Sequence, residues 1–236
     1  MSTARPLAKG KPRLRGCRAG VLAALILSLP AISAVGQPAD PSPALYKLLD
    51  FAGLDHLVTL APADIPPPVA SDDAYATVQQ KIESVQTLVK ENQPATFALT
   101  ADDVNSLIAH NPALSDNNVR AYFSFANDEG RLQTSIPTDV LTRGVVKGRY
   151  FNMDISFNVS YDSAGKSVNL TPTTLKVGDE TLLGAGVKSS NSAAFNTAMM
   201  TYLLNFGLRQ NPQVAALLDQ TQNIAIKNGE LVIQTK

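Results

Sequence analysis

Two histidines, a single cysteine and two adjacent carboxylates are the residues of this chain best equipped for chemistry. Their spacing decides which reactions are open to it. His56 and His110 have no partner at metal-ligand spacing, whereas zinc sites gather Cys, His or carboxylate ligands at short intervals. His110 falls at the end of an expected helix, where the dipole favours a cation, and reads as a structural residue. Cys17 precedes an apolar run, whereas a lipid-bearing cysteine would follow it. Beyond Cys17 the chain has no thiol for catalysis or for a disulfide. Asp102 and Asp103 resemble an acid–base pair, yet Thr100-Ala-Asp-Asp103 is a variant capping box that accounts for both. Gly184-Ala-Gly186 is too short for a dinucleotide loop, which must also follow a strand and open a helix. No catalytic residue, metal ligand or cofactor is expected, and no enzyme activity.

Apolar patterning is the stronger signal. From Arg149 to Tyr161, Phe151, Met153, Ile155, Phe157, Val159 and Tyr161 alternate with polar residues and Tyr150. Successive strand side chains point to opposite faces, so this is a strand with one greasy face. At about 3.3 Å per residue it spans roughly 40 Å, about twice the usual length. A helix expected over 192–208 carries Phe195, Ala198, Met199, Tyr202, Leu203 and Phe206 at core-facing helical spacing. Phe151, Met153, Ile155, Phe157 and Val159 on the strand, with Met199, Tyr202 and Phe206 on the helix, are the candidate walls of an apolar-ligand site. Such stripes more often build a core. The question is whether the sheet closes over its own helices or leaves a gap.

The elements that would position these walls are legible. Ser71 with Asp72 and Asp73 starts a helix, and Tyr75, Val78, Ile82, Val85 and Val89 continue it towards Pro94. A short strand, Thr96 to Leu99, leads into a second helix with Val104, Leu107 and Ile108 inward, ending near Asn111-Pro112. Val119 to Ile136 form a hairpin turning at 127–130. The long strand pairs through 162–165 with Val168 and Leu170. The apolar phase slips around Pro172, which predicts a bulge or an edge. After the 192–208 helix, Pro212 opens a short helix carrying Val214, Leu217 and Leu218. A last hairpin, Ile224 to Ile233, turns at Asn228-Gly229. The fold class is α+β: a long curved antiparallel sheet of hairpins wrapped round one or two amphipathic helices.

The ends and the charge balance bound location and partners. Arg5, Lys9, Lys11, Arg13, Arg15 and Arg18 precede an apolar run from Val21 to Val35, with no acidic residue before Asp40. This reads as a signal peptide over 1–36. Retention as an inner-membrane anchor through 20–36 is the other reading, and Pro30 and the short length favour cleavage. Either way the remainder is exported, to the periplasm or cell envelope. Residues 37–70 are Pro-rich and read as a tether with a short helix near 44–58. Residues 71–236 form a single α+β domain. The exported part holds 14 basic and 20 acidic residues, a balance of −6, which disfavours nucleic acid as a partner.

The phrase FALTADDVNSLIAHNP, followed by two hairpins, an amphipathic helix and IAIKNGELVIQTK, resembles exported bacterial proteins with half of the tubular lipid-binding (BPI-like) fold. The likeness covers about residues 95–236. It lies in element order and in the Thr100–Asn105 helix start. It implies a bent sheet curled round a long helix with an apolar groove for a lipid. The helix over 71–93 is additional and could plug that groove. The leading expectation is a non-enzymatic envelope protein holding a lipid or apolar chain, with membrane proximity through its N-terminus. The alternative is a structural or assembly module docking another envelope protein through a sheet edge or the tether.

Overall fold

The computed structural model describes residues 57–68, 71–142, 147–184 and 212–236. The leader, the first part of the Pro-rich stretch with its short helix, and the 192–208 helix lie outside the described residues.

Helix α1 (Asp72–Lys90) starts where its cap requires. The Ser71 hydroxyl accepts from the Ala74 N–H, and Asp72 and Asp73 occupy the first turn. Its buried face is Val78, Ile82, Val85 and Val89. Strand β2 (Thr96–Thr100) runs directly into α2 (Ala101–Ala109), closed by a capping box in which Thr100 and Asp103 bond each other's backbone N–H. Asp103 also meets Lys81 at 2.6 Å, fastening α1 to the start of α2. A single turn, α3 (Pro112–Ser115), leads to the sheet.

The main sheet is antiparallel with six strands: β1 (Val58–Thr59), β3 (Arg120–Ala126), β4 (Glu129–Pro137), β5 (Tyr150–Asp162), β6 (Ser167–Val177) and β7 (Glu180–Leu183). A short helix, α4 (Thr138–Thr142), separates β4 from β5. β5 is the spine. β4 lines one edge from Tyr150 to Phe157, and β6 lines the other from Met153 to Asp162. β1 takes the remaining positions, Tyr150 and Phe151, beyond the end of β6.

The expected irregularity at Pro172 is present. The β5–β6 register shifts beside Ser156 and Phe157, where Phe157 faces Pro172 and Thr173 is the extra residue. β7 reaches only Leu175 to Val177, so among the described residues the outer edge of β6 beside Pro172 carries no strand. Bulge and edge coincide, which is how a proline is accommodated. The β3–β4 turn is two residues, Asn127 and Asp128, both at positive φ (50° and 63°). It is tighter than the expected 127–130 and fits the right-handed strand twist.

The C-terminal hairpin does not extend this sheet. β8 (Thr221–Lys227) and β9 (Glu230–Thr235) join β2 in a second, three-stranded sheet of order β2-β9-β8. Helix α5 (Pro212–Gln220) leads into it, with Leu217 and Leu218 buried. The two sheets meet where β5 crosses β8. Gly130 marks the closest approach: a side-chain carbon there would stand 3.0 Å from the Phe157 ring and 3.1 Å from Ile226. The two hairpin turns also touch, the Asn228 N–H donating to the Asp128 carboxylate at 2.9 Å.

One buried side chain closes the outer edge of the main sheet. Asn105, fully buried on α2, accepts from the Phe123 N–H and donates to the Phe123 carbonyl, each at 2.8 Å. Both groups point away from β4, so the amide stands in for a strand at β3's free edge. Asn105→Leu orphans two buried backbone groups and is expected to destabilise the domain by about 2–4 kcal/mol. Urea unfolding measures this, and an unchanged midpoint would show that Asn105 has no such role.

Candidate functional site

Register places the apolar residues of five strands on one face. Phe151, Met153, Ile155 and Phe157 lie opposite Ile136, Thr134, Leu132 and Gly130 of β4. On the other side, Met153 and Ile155 meet Val177 and Leu175, and Val159 meets Leu170. β3 adds Ala121, Phe123 and Phe125, and β7 adds Leu183. The strand half of the expected wall is therefore brought together on one surface. Met199, Tyr202 and Phe206, its expected opposite half, lie outside the described residues.

Cover over that surface is uneven. Ile155 and Phe157 are 1 % and 4 % exposed. Phe157 lies with Ile226 of the second sheet about Gly130, and the centroid of the Phe123 ring is 6.1 Å from that of Phe157. Ile155 and Phe157 are core: burying side chains of this size stabilises by roughly 1.5–3 kcal/mol each. Towards the end of β5, Val159 and Tyr161 are half-buried, and the Tyr161 hydroxyl donates to the Leu218 carbonyl of α5. At the start of β5, Phe151 and Met153 are also half-buried, and on β7 Leu183, level with Ile155 across β6, is half-buried too. Here, as at Val159 and Tyr161, the apolar face of β5 is only partly covered.

Thr134 sits on the same end, opposite Met153 and next to Ala121. It is 2 % exposed, and its hydroxyl has no hydrogen-bond partner among the described residues. An orphaned buried hydroxyl costs about 1–3 kcal/mol. Thr134 was hidden in the sequence because a threonine in a strand looks like an ordinary β-branched residue. Leu182 and Leu183 were hidden because β7 is only four residues long.

The residues singled out for acid–base chemistry are committed elsewhere. Asp103 is consumed by the capping box and Lys81. His110 stacks on the Tyr75 ring at 4.2 Å and 13°. Its Nδ1 lies 2.9 Å from the Ser106 carbonyl and its Nε2 3.0 Å from the Asp72 carboxylate. The trio Ser106, His110 and Asp72 is not a nucleophile triad, because His110 meets the serine's carbonyl and the buried Ser106 hydroxyl has no partner among the described residues. No three potential metal ligands cluster among the described residues, and His56 lies outside them. No family model, curated protein or solved structure matches this chain.

Both partners of the His110 ring are acceptors, so both nitrogens must donate, and the imidazolium is the form that satisfies them. The hydrogen bond to Asp72 is the main cause that raises its pKa above the ordinary 6.5, with desolvation opposing it. A raised folded value means the contact contributes fully below about 6.5 and is lost as pH rises through that higher value. Asp72 is 99 % exposed, so the effect is small and weakens with salt. Proton NMR titration should place His110 above 6.5, with the value falling towards 6.5 in Asp72→Asn. A midpoint at or below 6.5 would contradict this clamp.

Proposed function

We propose that this is a non-enzymatic exported protein of the cell envelope that holds a lipid or other apolar chain against the start of β5. The observation that carries this reading is the half-buried start of β5 at Phe151 and Met153, with the orphaned Thr134 hydroxyl on the strand opposite Met153. An acyl chain would cover the apolar side chains while its carbonyl or carboxyl oxygen accepts from Thr134. The Ile155–Phe157 centre is excluded from the site because it is already packed. The finer architecture proposed is a half-tubular cradle in which the long sheet bends round an amphipathic helix, as the resemblance to the tubular lipid-binding fold implies. Docking of another envelope protein by strand addition is disfavoured at β3, whose free edge at Phe123 is occupied by Asn105.

Native mass spectrometry of the protein extracted from membranes should show a bound lipid mass. Each methylene removed from water contributes about 0.8 kcal/mol, so shortening a titrated fatty acid by two carbons weakens binding roughly tenfold. The double variant Phe151→Asp, Met153→Asp should lose uptake while keeping its circular dichroism spectrum, since neither residue lies in the sealed centre. A protein that carries no lipid and takes none up on titration would contradict the reading.

A further inference from the structure

A cleft lies at the same end of β5, on the other face of the sheet. It measures about 530 Å³ and opens between the end of α3, the start of β3, the β4–α4 junction and the entry to β5. Its lining includes Ser115, Asn117, Asn118, Arg120, Arg149 and Tyr150. Arg120 pairs with Ser135 in the β3–β4 ladder, and Tyr150 pairs with Pro137. Both pairs belong to the strand face turned away from Phe151 and Met153, so this cleft is distinct from the apolar surface.

Its charge contrasts with that of residues 37–236, which hold 14 basic and 20 acidic residues. Arg120 and Arg149 come from separate elements, and among the described residues neither guanidinium pairs with a carboxylate or makes a hydrogen bond. By contrast Arg131, also on this sheet, is held by both oxygens of Asp154. The backbones carrying the two free guanidiniums are fixed. Arg120 is held by the strand ladder, and the Arg149 carbonyl accepts from both the Thr138 N–H and its hydroxyl, each at 3.0 Å. Gly148, at φ +71°, turns the chain into β5 and leaves open space where a side chain would project. Asp139 is the acidic residue of the lining and opposes the two cations.

We infer that this cleft binds an anionic oxyacid group, a phosphate mono- or diester, through the paired forks of Arg120 and Arg149. A guanidinium fork matches two oxygens of such a group, and fixed carrying backbones lower the ordering cost of binding. Asn118 offers a further amide donor beside it, while the Ser115 hydroxyl and an Asn117 amide N–H are held by the Pro112 and Ala113 carbonyls. The phosphate can belong to a lipid headgroup or to a soluble molecule, and the site does not depend on the apolar-chain reading.

The test uses the full chain, labelled with ¹⁵N, and inorganic phosphate as the first probe. Saturable shifts at the Gly148 amide and at the Arg120 and Arg149 side-chain Nε–H are expected, weakening with salt. Arg120→Gln and Arg149→Gln should each weaken binding about tenfold, as expected for a lost hydrogen bond to a charged group. Arg120→Lys should fall between, and Asp139→Asn should tighten binding. These side chains are exposed, so an unchanged amide spectrum elsewhere checks the fold. Vesicles of phosphatidylglycerol that compete with phosphate, where phosphatidylcholine vesicles do not, identify a lipid headgroup. Phosphate binding without that competition identifies a soluble phosphate ester. No saturable shift at Gly148 with either probe, or glutamine variants that bind as the parent does, overturns the site.

Discussion

A strand of thirteen residues with one apolar face presents more greasy surface than any single neighbouring element can cover, and the fold is arranged around that mismatch. The centre of β5 is met by β8, with Gly130 supplying the room for Phe157 and Ile226 to approach. The far end is met by α5 through Tyr161 and Leu218. The near end is bordered by β1, β4 and the end of β6, and there Phe151 and Met153 stay half-buried. Hydrophobic burial is non-directional and roughly proportional to area. Whatever completes the cover at the near end therefore gains most from being apolar.

Polar groups settle where the sheets stop. Asn105 satisfies the outer edge of β3 from a helix. On the other strand face, Asn152 does the same for the incoming chain. Its amide donates to the Thr59 hydroxyl and the Ala61 carbonyl, while its oxygen accepts from the Ala63 N–H. The Pro-rich segment before α1 is thereby docked on the sheet from residue 57 onward, with Leu57 and Ile65 buried. Membership of the folded unit is decided here by two asparagines whose hydrogen bonds are long-range, 18 and about 90 residues apart in sequence.

That difference explains what the sequence disclosed. Local chemistry was readable: the Ser71 cap, the Thr100–Asp103 box, the alternation of β5 and the Asn228-Gly229 turn each involve residues within a few positions. The Pro172 irregularity was also readable, because an alternation slip and a proline coincide. Partner choice was not. Nothing local says that β9 takes β2 as its neighbour and so founds a second sheet, or that Val58 and Thr59 complete the edge of β5. The site was half legible. Alternation marked Phe151 to Val159 as one wall, but it cannot separate the buried Ile155 and Phe157 from the half-buried Phe151 and Met153. Two-residue and four-residue strands such as β1 and β7 carry too few residues to establish a period.

The division of β5 into a sealed centre and a half-covered start is the central claim, and photo-crosslinking tests it most directly. A fatty acid carrying a diazirine along its chain would be bound, irradiated, and its adducts located by peptide mass spectrometry. Adducts on the Tyr150–Asp154 part of β5 and on Glu180–Leu183, with none on Ile224 to Ile226, are the expected result. Adducts on Ile224 to Ile226, or no adduct anywhere on β5, would contradict it.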